Sequence, residues 1–193
     1  TAVRFDDCAH RRQRFDHPSH RPLRQRFVAN QHAVEALPGQ LATTARIDWP
    51  EAVDLATGAE SLYVVARGPS LPIATETALK LKETCAIHAE AYSIAEVMHG
   101  PLELLGKGFP VLAYSPEDGA RQSSRISLGK MRQAGANVLV AEEGGLPFVR
   151  TGNTLLDPIS IIQTAYRFVE ATAVARGRDP DRPRLLKKVT ETF

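Results

Sequence analysis

Residues 80–101 read KLKETCAIHAEAYSIAEVMHGP: two lysines, three glutamates and two histidines in one stretch, with apolar residues between most of them. Three readings fit such a mixture: a solvated helix face, a metal site, or acid–base machinery. For a metal, His88 and His99 stand eleven residues apart with no partner at helical ligand spacing, and HAE is not the HExxH arrangement that puts two imidazoles on one helix face. No metal is expected. Lys80 and Glu83, three residues apart on a helix, share one face. As an exposed ion pair they contribute only ~0.3–0.5 kcal/mol. The residues that follow are not surface-like, however. The run MHGP sets His99 at a bend beside a glycine and a proline, where an imidazole can titrate near neutrality.

The elements around this stretch decide whether those groups can meet. SLYVVARG, from residue 61, is an apolar run rich in β-branched and aromatic residues and closed by a glycine, the signature of a buried parallel strand. PSLPIATETALKLKETC reads as a helix, with Ser70 a candidate cap and Thr77, Lys80 and Thr84 on one face. IHAEAY, FPVLAYS and NVLVAE read as further strands. SIAEVMHGPLELLG reads as a helix interrupted at Gly100-Pro101. PEDGARQSSRISLGKMRQAG is an amphipathic helix, and DPISIIQTAYRFVEATAVARG a long one capped by Asp157 and stopped by Gly177. Upstream, VANQHAVEALPGQLATTARI is helical with Pro38 expected to kink or divide it, and DWPEAVDLATGA is a short helix with Asp48 as its cap. Strands alternating with helices of this length predict a three-layer α/β/α sandwich with a parallel sheet, flavodoxin-like, over residues 60–175. Ligands of such sheets bind beyond the carboxyl ends of the strands. There the strand-to-helix turn of Arg67, Gly68 and Ser70 is a candidate anion cradle, a weak one without supporting hydroxyls.

Composition narrows the function classes. The chain has 193 residues, enough for one good domain, with 43% hydrophobic and 24% charged residues. A net charge of +2 gives no indication of a nucleic-acid or membrane partner, and no apolar run approaches the ~20 residues of a membrane span. The two cysteines, Cys8 and Cys85, form no disulfide framework, so a reducing cytoplasmic setting is the simplest expectation. Residues 1–27 hold seven arginines and three histidines, with few apolar residues and no period of 3.6 or 2, and read as an irregular Arg/His-rich arm.

The run ALKLKETCAIHAEAYSIAEVMHGPLELL, with SLYVVARGPSLPIA before it and DPDRPRLLKKVT at the C-terminal end, resembles the second half of the isomerase part of glucosamine-6-phosphate synthase (glutamine–fructose-6-phosphate aminotransferase). It also resembles stand-alone glucosamine-6-phosphate deaminases built from the same pair of sugar isomerase (SIS) domains. The resemblance covers about two-thirds of the chain. It implies an aldose–ketose isomerase or deaminase that converts glucosamine 6-phosphate to fructose 6-phosphate and ammonia without a cofactor. Glu83 would move a proton between C1 and C2, and one carboxylate can do both transfers. Lys80 would assist proton handling. His99 would open the sugar ring, supplied from a neighbouring subunit of a homodimer. Lys188 would form a Schiff base with the ketose. Glu90 and Glu96 are expected to be structural.

The sequence departs from the pattern in one respect. Such enzymes carry a Ser/Thr-rich turn in a first SIS domain that cradles the phosphate. The nearest stretch here is RQSSRIS at 121–127, which reads as a plain helix face. Residues 60–193 therefore read as a second SIS domain with a C-terminal tail, and residues 28–59 as a helical linker from a first one. Residues 1–27 do not resemble that domain's expected end. The alternatives are a component of a glutamine-dependent aminotransferase, or a non-catalytic sugar-phosphate-binding SIS module.

Overall fold

The computed structural model describes residues 21–116 and 119–186. Helix α1 (Arg21–Thr44) leads into α2 (Pro50–Thr57). Strand β1 (Ser61–Ala66) and helix α3 (Leu71–Lys80) come next, then β2 (His88–Ser93) and β3 (Pro110–Tyr114). Helix α4 (Arg121–Gln133), β4 (Asn137–Ala141) and α5 (Asp157–Ala175) complete the domain. The four strands form one sheet in the order β2-β1-β3-β4, and every pairing is parallel.

Alternation along the strands builds two cores. Leu62, Val64 and Ala66 of β1 join Leu112 and Tyr114 of β3 in a core closed by α2, α3 and α5. Tyr63, Val65, Val111 and Ala113 point the other way, into a core with Leu128 and Met131 of α4 and with Ile94 and Val97. Both sheet faces are covered, which is why β1 and β3 read as continuous apolar runs. The expected three-layer α/β fold is the observed one, and the strands lie within a residue or two of their sequence-predicted places.

Other expectations are corrected. Helix α1 runs unbroken through Pro38, and it begins at Arg21, inside the stretch read as irregular. Trp49, not Asp48, occupies the N-cap of α2, and Asp48 instead accepts a 2.7 Å bond from Arg167. Asp157 is the first residue of α5 rather than its cap. Its carboxylate takes the Thr151 amide at 2.8 Å and hydroxyl at 2.7 Å, pinning the preceding loop. The segment read as an interrupted helix is two short 3-10 turns, Glu96–His99 and Pro101–Leu104.

One arginine ties three elements together. From the end of α5, Arg176 donates to the carbonyls of Thr57, the last residue of α2, and Ala59, just beyond it, at 2.6 and 2.9 Å. Its Nε donates to the Cys85 carbonyl at 2.9 Å.

The junction between α3 and β2 is the unusual backbone of the fold. Helix α3 continues into a π-helical turn, Leu81–Cys85, that ends at Ala86 with φ 51° and ψ 45°. Ala86 is the one described non-glycine residue with positive φ, a conformation in which a Cβ crowds the following carbonyl. Its amide caps the turn by donating to Leu81 O. Ala86→Gly is therefore expected to leave the melting temperature unchanged or raise it slightly. Ala86→Val, branched at Cβ, should destabilise by about 2 kcal/mol or more in a chemical melt. Equal stability for the two variants would show that the turn relaxes freely.

Candidate active site

The π turn places Glu83. Leu81 and Cys85 are fully buried beneath it, and the Thr84 hydroxyl donates back to the Lys80 carbonyl at 2.8 Å. The extra residue per turn in a π helix re-aims side chains, and such turns recur at functional sites. Here it leaves Lys80 Nζ 2.7 Å from Glu83 Oε2, with the two side chains 34% and 30% exposed. The pair is thus reachable from solvent but held from below. Lys80 also lies 3.8 Å from Glu76. The Glu83 hydrogen bond raises the Lys80 pKa above its ordinary value against a smaller opposing effect of burial, so the ammonium persists across the physiological range. A carboxylate that accepts a bond from a fixed ammonium, and is open on its outer side, can take a proton from a carbon and return it to the next.

Tyr166 of α5 belongs to this cluster, and sequence reading missed it. Its hydroxyl donates to Glu76 Oε1 at 3.1 Å. Burial first, and then that bond, push the phenol pKa up. Tyr166, Glu76, Lys80 and Glu83 form a line across α5 and α3. Only the packing of the two helices brings Tyr166 within reach, so no local spacing signals it. Cys85, next to the catalytic candidates, is not a nucleophile. Burial raises its pKa, and its thiol donates to the Val169 carbonyl at 3.3 Å.

The other sequence candidates lie elsewhere. His99 is exposed at the end of a 3-10 turn and is followed by Gly100 with φ 157°. It comes after the carboxyl end of β2, and its neighbours Ile94 and Val97 join the core on the α4 face, whereas Leu81 and Cys85 join the core on the opposite face. One chain does not bring His99 to Glu83. Lys188 lies outside the described residues. Arg67, Gly68 and Ser70 sit at the start of α3, and Glu83 lies thirteen residues beyond Ser70, roughly 20 Å along the helix axis at ~1.5 Å per residue. They form a separate place from Glu83.

Glu90 and Glu96 have structural partners. The Tyr92 hydroxyl donates to Glu90 at 2.9 Å, a bond that is the first cause of a phenol pKa pushed up to about 12. Glu96 accepts from the Ser93 amide at 3.2 Å. Among the described residues no group of three His, Cys, Asp or Glu is placed to hold a metal ion, and no helix is long and apolar enough to cross a membrane.

Residues 57–141 match the SIS domain. A glutamine–fructose-6-phosphate aminotransferase of Aeropyrum pernix is 37% identical over 148 residues, 72% of this chain and 24% of that protein. The chain thus spans about a quarter of the length of such curated relatives. Among solved structures, a protein of Silicibacter pomeroyi described as a phosphosugar isomerase superposes with a TM-score of 0.71 at 42% identity, over 78% of this chain and 48% of that one. A glucosamine-6-phosphate deaminase of Thermotoga maritima superposes with a TM-score of 0.63 at 25% identity, over 81% of this chain and 47% of that one. Fold and relatives agree with this match, and residues 57–141 belong to the SIS domain family.

Proposed function

We propose that the chain is the proton-transferring half of a sugar-phosphate isomerase. Its reaction would be aldose–ketose isomerisation with hydrolytic deamination, glucosamine 6-phosphate and water to fructose 6-phosphate and ammonia. The observation that carries the reading is the 2.7 Å Lys80–Glu83 bond on a π turn open to solvent. Glu83 removes the proton at C2 of the open-chain sugar and returns it at C1, while Lys80 stays cationic beside it and offsets the charge that builds on the sugar oxygens. Lys188 supplies the amine for a Schiff base with the ketose. His99 opens the ring from a second copy, which fits its exposure and its place beside the core on the α4 face of the sheet. A homodimer follows from that reading, and a cytoplasmic setting accords with it.

The curated relatives favour a second version, in which the same chemistry runs in reverse as one component of a glutamine-dependent aminotransferase. The two versions share Glu83 and differ in the source of nitrogen. The test incubates the active assembly containing this chain with fructose 6-phosphate in deuterated water. Incorporation of solvent deuterium into the product with ammonia as the sole nitrogen source supports the first version. Incorporation only when glutamine is present supports the second. No incorporation under either condition overturns both and leaves a module that binds sugar phosphate without turning it over.

A further inference from the structure

Lys80 has two carboxylates within reach and stands closer to the one that helix geometry favours less. Glu76 precedes it by four residues on α3, and a glutamate placed before its lysine at that spacing is better oriented than one placed after it. Glu83 follows Lys80 by three residues, in the π turn. Yet the Lys80 Nζ lies 2.7 Å from Glu83 Oε2 and 3.8 Å from Glu76 Oε1. Solvation does not decide the choice, because the Glu76 and Glu83 side chains are 34% and 30% exposed.

Tyr166 supplies the difference. Its hydroxyl donates at 3.1 Å to Glu76 Oε1, the same oxygen that faces Lys80. A hydrogen bond to an ionised carboxylate outweighs an exposed ion pair along a helix. A tyrosine side chain has only two torsions to fix, so holding the bond costs little entropy. Burial first, and then the bond itself, keep the phenol pKa above its ordinary value, so the hydroxyl stays a donor across the physiological range. The ring comes from α5, and other groups fix that helix in place. Arg167, the next residue, donates to the Ile47 carbonyl at 3.2 Å and to Asp48 Oδ1 at 2.7 Å. Three residues after Tyr166, the Val169 carbonyl accepts the thiol of Cys85, the last residue of the π turn. Tyr166 itself is 46% exposed and lies outside both cores. Loss of its hydroxyl therefore leaves α5 where it is and frees one oxygen of Glu76.

We propose that Tyr166 is a positioning residue, which holds Glu76 back and so leaves the Lys80 ammonium to Glu83. It touches no substrate in doing so. Its value to catalysis rests on the proposed proton transfer by Glu83, but the choice of partner is a property of the folded chain. With the hydroxyl gone, Glu76 can turn onto Lys80, and Glu83 loses the bond that orients its carboxylate on the outer side of the π turn. A lysine shared between two carboxylates fixes neither, and a displacement of about 1 Å at a reacting group can cost about 10²-fold in rate.

The experiment follows the side-chain carboxyl carbon resonances of Glu76 and Glu83 in the purified chain at neutral pH. In the parent, Lys80→Met should move the Glu83 resonance more than that of Glu76. In a Tyr166→Phe background the order should reverse. Adding Glu76→Gln to that background should restore the full response of Glu83 to Lys80→Met, because the competing charge is gone. Tyr166→Phe keeps the ring, so the fold is not at stake. An order that stays the same in Tyr166→Phe would overturn the proposal. In an active assembly, Tyr166→Phe should lower the exchange of solvent deuterium into the sugar by about tenfold or more with KM unchanged. Exchange at the parental rate in that variant would overturn the positioning role. Reversal of the resonance order, with no exchange even in the parental assembly, would leave the choice of partner standing and overturn the proton transfer instead.

Discussion

Glu83→Gln in an active assembly containing this chain is expected to lower turnover by about 10²–10⁴-fold with little change in substrate affinity. The amide keeps the shape and length of the carboxylate. It still accepts the Lys80 bond that now measures 2.7 Å, so the π turn has no reason to reorganise. What it loses is the capacity to hold a proton between C2 and C1. Exchange of solvent deuterium into the sugar should fall in parallel with turnover, because both pass through the same carboxylate. Lys80→Met should cost less in exchange than in net turnover, since it removes a neighbouring charge and not the proton carrier. The decisive measurement is exchange in the Glu83→Gln protein. If it persists at the parental rate, Glu83 is only half of a helix ion pair.

The largest effect on stability is expected from Trp49→Ala. Trp49 is 1% exposed, its indole N–H donates to the Pro147 carbonyl at 2.7 Å, and its ring lies 6.2 Å from those of both Tyr114 and Phe168. It joins the start of α2, the end of β3, the middle of α5 and the loop after β4. Truncation leaves a cavity and an orphaned carbonyl, for a cost of about 3–5 kcal/mol. Against a total of ~5–15 kcal/mol for a domain, that is a large fraction. The melting temperature should fall by about 10 °C or more, followed by circular dichroism because the sole tryptophan is gone. Trp49→Phe keeps a ring and loses the bond, and should fall between. A loss below about 1 kcal/mol for the alanine variant would mean that the neighbours collapse into the space.

Trp49 also marks where sequence reasoning stopped. The rule that Asp, Ser or Asn caps helices favoured Asp48, but the indole's burial fixed the chain path, and Asp48 was left facing Arg167. Strands β1 and β3 and most of β4 were legible because each is apolar on both faces, a pattern a double-sided sheet demands and little else produces. Residues 94–105 misled for the opposite reason. Ile94, Val97, Met98, Leu102 and Leu105 have the spacing of an α-helix, yet Gly100 at φ 157° and Pro101 without an N–H break it into two 3-10 turns. In the site, the Lys80–Glu83 pair was legible because its partners are three residues apart on one helix. Tyr166 was not, because its place depends on helix packing, which no local spacing encodes.

Arg176 has a consequence for which substitutions the domain will accept. Its guanidinium bonds carbonyl oxygens at and just after the end of α2 and at the end of the π turn, and none of those contacts reads a side chain. Thr57, Ala59 and Cys85 can therefore drift in identity, within what burial permits, without disturbing the clip, since every amino acid brings the same carbonyl. Arg176 has no such latitude. Lysine would bring one charged nitrogen where the fork now spans two directions, and any shorter residue would leave three chain ends untied. Variation across these four positions should be lopsided, with the acceptors free and the donor fixed.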